Sequence, residues 1–364
     1  MIELEDVDVV SFVAEWFDPL PQLVKKFLLK YYHKSNEAEM IDLASKRLFL
    51  KRSPCLKVKS LKDFRINCKV NIYGRYLLLV AYGDETTRSV LEPVLVETIV
   101  VVPPILYKDT GKVIQEFTAH QLTLSNIQMF ELGEMEANNI ASFFSSDENE
   151  ISYFTLLKGP LVVIKLFGKD SMNEVEKIAK FISEGEYESG TILCPTTKEE
   201  VCALDKYFFG KDSPFTTSTA SFDNCTCCII KPHAIIDGNA GKIIDHIFNK
   251  GYEISAMKAF HLDNVKASEF FEVYNGVLPE YRELIGHMTS SVCIVLEVRA
   301  ENAVNAFRAT VGPWDIGMAK ELKPSTIRAL YGIDYVKSAV HCTELKQLAI
   351  SDCQYFFRYL FNTR

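Results

Sequence analysis

Two short stretches far apart in this chain read as near copies, Thr110-Gly111-Lys112-Val113-Ile114 and Ala240-Gly241-Lys242-Ile243-Ile244. Each opens an amphipathic helix. Each also follows an apolar run with the pattern of a buried strand, Val96 to Val102 in the first case and Cys227 to Ile230 in the second. In the second copy Ile243, Ile244, Ile247 and Phe248 fall on one helical face, and Gly251 stands where a helix would stop. The same strand-then-helix order returning after about 128 residues marks a diverged duplication. Two similar domains are therefore expected, and the residues ahead of the first copy must form something else.

That leader alternates short apolar runs with polar turns: Ser11 to Trp16, Lys26 to Tyr32, Leu48 to Leu50, Val70 to Tyr73 and Tyr76 to Tyr82. These are β-like segments. Asp18-Pro19-Leu20-Pro21 and Lys34-Ser35-Asn36-Glu37 supply turns between them, and Gly83-Asp84-Glu85-Thr86 closes the set, so a small antiparallel domain is predicted. Between the copies, Gly210 to Thr219 has the composition of a linker, which puts a boundary near 215. Three domains result, 1–90, 91–215 and 216–364, in line with the usual domain size for 364 residues. The acidic cluster Ser145-Ser146-Asp147-Glu148-Asn149-Glu150 reads as a solvated surface loop.

Composition narrows the functional classes. With 48% hydrophobic residues the chain can bury sizeable cores, and a net charge of −8 argues against diffuse attachment to nucleic acid or acidic lipid. No apolar stretch reaches membrane-spanning length, since Glu97, Pro103 and Pro104 interrupt even Val94 to Leu106, and the start Met1-Ile2-Glu3-Leu4 lacks the pattern of a secretory signal. An intracellular setting follows as an expectation, and with it ten reduced cysteines in place of a disulfide frame. Cys225-Thr226-Cys227-Cys228 invites a zinc reading, but no second pair follows at ligand spacing and the run leads into Ile229-Ile230, so a buried strand is favoured over metal. Asn224-Cys225-Thr226 also matches a glycosylation acceptor, without meaning unless the chain is secreted.

Chemistry concentrates in the second copy. Lys231 sits at a strand end before Pro232, Arg308 lies on a helical stretch, Arg328 follows Pro324-Ser325-Thr326-Ile327 at a helix start, and His341 ends a short apolar strand. Each alone has a bland explanation. Their joint order resembles the nucleoside diphosphate kinase family across nearly all of 224–364. The resemblance implies a fold of the α+β class, with two ferredoxin-like βαββαβ kinase-like domains. It also implies a mechanism in which His341 takes a phosphoryl group from a nucleoside triphosphate with Mg2+ on the donor phosphates. A neutral imidazole suits that task when one nitrogen attacks and the other is held by a carboxylate. Asp352 is implied as that carboxylate, where the family usually has a glutamate. Lys231, Arg308 and Arg328 are implied to neutralise the transferring phosphoryl, and Ser338 and Phe271 fall at further nucleotide-binding positions.

Departures from the family pattern gather in this same pocket. Phe271 replaces a tyrosine, although Tyr274 lies one turn away; Glu280 replaces a base-stacking phenylalanine, with Tyr281 beside it; Trp314 replaces a phosphate-contacting threonine; Ser338 replaces an asparagine. Loss of two or three hydrogen bonds to charged groups, at ~1.5 to 3 kcal/mol each, predicts weakened nucleotide binding. The first copy departs further, with Pro103-Pro104 in place of Lys-Pro and Cys194, expected to be structural, in place of the histidine.

In the leader, Phe12-Val13-Ala14-Glu15-Trp16-Phe17-Asp18-Pro19, Phe49-Leu50-Lys51-Arg52 and Tyr82-Gly83-Asp84 resemble the DM-ten domain, a pleckstrin-homology-like β module of ciliary proteins. Such a module followed by two kinase-like repeats occurs in a ciliary branch of the family, and the resemblance covers about 8 to 360. It implies a place in the cytoplasm and cytoskeleton, at the axoneme of a cilium or flagellum inside the doublet-microtubule lumen. Tubulin and neighbouring microtubule inner proteins are the implied partners, with the γ-tubulin ring complex as a further one. Three functions are open: a structural binding protein, a kinase working through His341, and nucleotide-dependent docking without turnover. Tandem repeats are also expected to satisfy internally a contact that single-domain relatives make between subunits.

Overall fold

The computed structural model describes residues 7–18, 21–55, 61, 64–66, 69–93, 95–144, 159–184 and 191–362. The acidic cluster at 145–150 lies outside them. Two compact units emerge, 1–96 and 97–364.

In the first unit β1 (Val9–Asp18), β2 (Leu23–Tyr32), β3 (Glu37–Asp42), β4 (Leu48–Pro54), β5 (Lys69–Ile72) and β6 (Arg75–Tyr82) form one antiparallel half-barrel in the order β4-β3-β2-β1-β6-β5. Period-two alternation sends Phe12, Ala14, Phe27, Leu29, Tyr31 and Met40 to a common core, where Phe64 stacks on Phe12 and Tyr31 at 5.7 and 4.3 Å. Two sequence expectations change. Glu37, read as the end of a turn, opens β3, because Ala38 and Met40 alternate inward behind it. Asp84, read as part of a closing turn, caps helix α1 (Glu85–Leu91) by accepting from the Thr87 N–H at 2.6 Å.

The second unit contains both copies. The first runs β7 (Val96–Val102), α2 (Thr110–Ala119), β8 (Thr123–Leu132), α3 (Glu134–Ala141), β9 (Gly159–Gly168), α4 (Ser171–Glu184) and α5 (Lys198–Phe209). The second runs β10 (Cys225–Ile230), α6 (Pro232–Ile236), α7 (Ala240–Asn249), β11 (Glu253–Phe260), α8 (Asn264–Phe270), α9 (Tyr281–Met288), β12 (Cys293–Arg299), α10 (Ala303–Val311), α11 (Ile316–Leu322), α12 (Ile327–Tyr331), β13 (Val340–Cys342) and α13 (Ala349–Gln354). One seven-stranded sheet spans both in the order β13-β10-β12-β11-β8-β9-β7, and the copies meet where β8 pairs with β11 at Gln128 and Lys258. The strand order on one side of that seam mirrors the other, except that the last strand of the first copy shrinks to a single bridge, Val101 with Leu193.

The repeated glycines explain the duplicated motif. Helices α2 and α7 cross at Gly111 and Gly241, so closely that a methyl on Gly241 would lie 2.5 Å from the Gly111 carbonyl oxygen, and one on Gly111 would overlap the Asp245 backbone. Below this crossing Val113, Ile114, Ile243, Ile244 and Ile247 join one continuous core with residues from both halves of the sheet. The expected linker is pinned to both copies: Ser218 donates to the Phe357 carbonyl at 2.8 Å and Thr219 to that of Ser255 at 2.6 Å in the second, while Phe215 stacks on Phe208 of α5 in the first. Its polar side chains satisfy part-buried carbonyls, a use that composition cannot distinguish from solvation.

Candidate functional site

Lys231 ends β10, and Pro232 begins α6 at the first helical position, where its missing N–H removes nothing from the helix. The lysine is fully buried. Its ammonium donates to the Val336 carbonyl and the Ser338 hydroxyl, each at 2.8 Å, and lies 5.5 Å from the Trp314 ring centre. Burial and the neighbouring Arg328 charge bring its pKa down to about 7. Arg328 starts α12 and is also buried, donating to the carbonyls of Gly312 at 3.0 Å and Val340 at 3.4 Å, with its guanidinium 4.9 Å from Trp314. Gly312 has φ +88, and a methyl there would strike the Thr326 side chain, so a glycine is required where the backbone turns its carbonyl to Arg328.

His341 lies on β13 opposite Ile229 of β10 and is 3% exposed. Four aromatic rings enclose it, Phe270, Phe271, Tyr274 and Trp314, with centres 5.6, 5.1, 6.0 and 6.2 Å from its own. Burial, then the charges of Lys231 and Arg328, holds its pKa well below the usual histidine value, so the ring is neutral at pH 7. Its Nδ1 has no hydrogen-bond partner among the described residues.

The orienting role expected of Asp352 is corrected here. Its carboxylate accepts from the Thr343 hydroxyl at 2.7 Å, and that hydroxyl in turn accepts from the Cys227 N–H at 3.3 Å. An aspartate is one methylene shorter than the implied glutamate, and Thr343, two residues along from His341, takes up its oxygen. Tyr281, the possible substitute for a base-stacking ring, turns its hydroxyl to the Ser268 carbonyl and packs against the core beside α9. Ser338 holds Lys231, and Phe271 forms part of the wall around His341.

Beside this enclosure lies a pocket of about 430 Å³ whose lining includes Arg308, Gly312, Trp314, Lys323, Arg328 and Glu344. Arg308 stands at its exposed rim and donates to the Glu344 carbonyl at 3.1 Å. Two arginines and a lysine against one glutamate make it electropositive, and the buried Arg328 Nη2 has no hydrogen-bond partner among the described residues, which suits a phosphate group. Neither His341 nor Lys231 belongs to the pocket wall: Trp314 lies over the lysine and the Arg328 guanidinium on that side. Its indole donates to the Tyr335 carbonyl at 3.1 Å, and the Tyr335 hydroxyl donates to Asp315. In sequence Trp314 stands only as bulk in place of a hydroxyl, and its spacing gives no sign that the ring covers two cations.

In the first copy, Cys194 is half-buried against the core, and burial raises its thiol pKa, the opposite of what a reactive thiolate needs.

Comparison with known proteins places these features. The nucleoside diphosphate kinase family model matches residues 224–360. Nucleoside diphosphate kinase homolog 7 of Rattus norvegicus is 31% identical over 97% of this chain and 93% of its own length, and the Mus musculus protein of the same name matches equally. The nucleoside diphosphate kinase of Aquifex aeolicus is 33% identical over 36% of this chain and 92% of its own. A crystal structure of the Aquifex aeolicus enzyme, at 32% identity, covers 38% of this chain and 96% of that one with a TM-score of 0.36. No described helix is long and apolar enough to cross a membrane.

Proposed function

This chain belongs to the nucleoside diphosphate kinase homolog 7 family, and we propose that it serves as a structural microtubule-associated protein of the ciliary or flagellar axoneme, inside the doublet microtubule. Its finer architecture on this reading is a pleckstrin-homology-like DM-ten module, 1–90, ahead of two ferredoxin-like kinase-like domains, 91–215 and 216–364. The observation that carries the proposal is the enclosure of His341: a nucleophile that is 3% exposed, ringed by four aromatic side chains and unheld at Nδ1 is poorly placed to exchange phosphoryl groups. Tubulin and neighbouring luminal proteins are the partners proposed, with the γ-tubulin ring complex as a further one. The leader offers them a surface, because Phe17, Leu23 and Val24 are each more than half exposed where β1 and β2 meet, with Phe17 directly opposite Val24. Gentle detergent extraction of isolated axonemes is the test: the protein stays with the doublets on this proposal, and release before salt disturbs them would refute it.

The electropositive pocket favours a second reading, that Mg2+-nucleotide binds beside Trp314 and either stabilises the docked form or passes a phosphate to His341. Arg308, Arg328 and Lys323 would hold its phosphates, while Lys231 is already committed to Val336 and Ser338. Incubation with γ-labelled ATP separates the outcomes. Acid-labile label lost in His341→Gln supports the kinase, a raised melting temperature without label supports docking, and neither leaves the structural role alone.

A further inference from the structure

Away from the phosphate pocket, on the opposite face of the same sheet, three cysteines and a carboxylate converge. Cys225 and Cys227 are two residues apart on β10 and so share a face, whereas Cys228 points into the other core. Glu297 on β12 stands directly across from Cys227, and α13 packs on β10 and brings Cys353 to the same core as Cys225 and Cys227. The two sulfurs of Cys225 and Cys353 and a carboxylate oxygen of Glu297 all lie within 4.8 Å of one another, and Cys353 interacts with Cys227 as well. Cys227, Cys353 and Glu297 are fully buried and Cys225 is 4% exposed.

Glu297 is turned toward these thiols, with Cys225 a hydrogen-bond partner of its side chain. Its two oxygens accept from the Ser221 and Phe222 N–H groups at 2.8 and 2.7 Å, yet no lysine, arginine or histidine among the described residues pairs with it. An ionised carboxylate in an apolar core is expensive without a counter-charge. Two backbone N–H groups fixing a carboxylate beside thiols is the kind of outer-shell support that metal ligands receive.

We propose that Cys225, Cys353 and Glu297, with Cys227 as the fourth donor, form a structural zinc site. Tetrahedral zinc, with Zn–S about 2.3 Å and Zn–O about 2.1 Å, holds its ligand atoms roughly 3.5 to 3.8 Å apart. Cys225, Cys353 and Glu297 reach that spacing by an inward shift of about 1 Å, within the range of side-chain rotation, and Cys227 would swing in from the same face of β10 to complete the set. The donor set selects the metal: thiolates exclude calcium and magnesium, and a carboxylate beside them suits borderline zinc better than copper(I). On binding, each cysteine sulfur gives its proton to solvent and its lone pair to the metal. The site ties β10, β12 and the segment at 221–222 to the C-terminal helix. The run Cys225-Thr226-Cys227 suggests zinc in the sequence but is outweighed there by the buried-strand pattern, because the two other ligands lie far from it, where no spacing rule looks for them.

The test uses the full chain, purified from zinc-supplemented culture and passed through a weak chelator. The proposal expects about one zinc per chain by mass spectrometry and, after exchange with Co2+, a thiolate-to-cobalt charge-transfer band. Cys353→Ser and Glu297→Gln should each weaken Co2+ binding at least tenfold, while Cys202→Ser, at an exposed position on α5, should not change it. Wild-type protein holding less than about a tenth of an equivalent and showing no thiolate band overturns the proposal, whether or not the variants fold. So does a band that persists undiminished in Cys353→Ser.

Discussion

The two copies in the second unit share a scaffold and differ at its phosphate end. In the second, β10 runs into Lys231-Pro232 and is flanked by a full strand, β13, which carries His341. In the first, β7 runs into Pro103-Pro104, which cannot supply an ammonium, and its flanking strand is one bridge at Leu193, next to Cys194. What both retain is the glycine at the start of α2 and α7. A contact that holds two helix backbones together persists in both copies, whereas the charged groups are present in one. The lesson is physical: the helix crossing is a packing requirement each half imposes on the other, whereas Lys231, Arg328 and His341 make these hydrogen bonds and ring contacts within the second copy.

The sharpest way to break this comparison is at the crossing. Gly111→Val or Gly241→Val should destabilise the second unit by about 3 kcal/mol, since the added methyls meet backbone and cannot be relieved by a rotamer change. Urea unfolding followed by intrinsic fluorescence would show it. A loss below ~0.5 kcal/mol in both variants would mean the shared glycines are not what binds the copies.

A smaller effect probes the difference between the copies. Trp314→Ala removes the ring over Lys231 and Arg328, which should open the electropositive pocket through to His341. Diethyl pyrocarbonate should then modify His341 severalfold faster than in the parent chain, read by peptide mass spectrometry, with stability falling by about 1 to 2 kcal/mol from the lost cation–π contacts. An unchanged modification rate would place the barrier in Phe270, Phe271 and Tyr274.

Much of this is legible in the sequence. The duplication, the half-barrel strands and the order Lys231, Arg308, Arg328, His341 are all encoded in local pattern, where period and turn chemistry suffice. What escaped depends on contacts between distant residues. The Asp352 carboxylate goes to Thr343 because of side-chain length in three dimensions, Trp314 acts as a cover through its position over two cations, and Glu297 gains meaning only beside Cys225 and Cys353. β3 was hidden by its polar residues, since an edge-proximal strand with Glu37 and Glu39 facing outward and Asp42 at its end resembles a turn in composition.

Acid sensitivity should also be asymmetric, since the buried histidines belong to the second copy. Burial, with Lys231 and Lys337 nearby, brings His233 down to about 4, and His341 is likewise held low. Between pH 6.5 and 4 the unfolded chain takes up protons at these positions that the folded chain does not. Stability therefore falls as the pH drops through that window and rises again as it is restored. The loss should be on the order of 1 kcal/mol at His233, and His233→Gln should flatten that part of the urea-midpoint profile. A profile identical in the parent and the variant would show that His233 protonates equally in both states.

The smallest effect tests whether the first copy is held by local devices instead of a site. Thr197 and Glu200 form a reciprocal cap on α5: the threonine hydroxyl accepts from the Glu200 N–H at 3.2 Å, and the glutamate accepts from the Thr197 N–H at 3.3 Å. Thr197→Ala removes one half of that exchange at an exposed helix end and should cost about 1 kcal/mol or less. Hydrogen exchange should quicken in the first turn of α5 while the amides of β10 and β13 keep their protection, because cap loss frays a terminus without unpairing the sheet. If protection falls in both places, the copies share one cooperative unit down to this helix end, and the contrast between a first copy held by local devices and a site-bearing second one disappears.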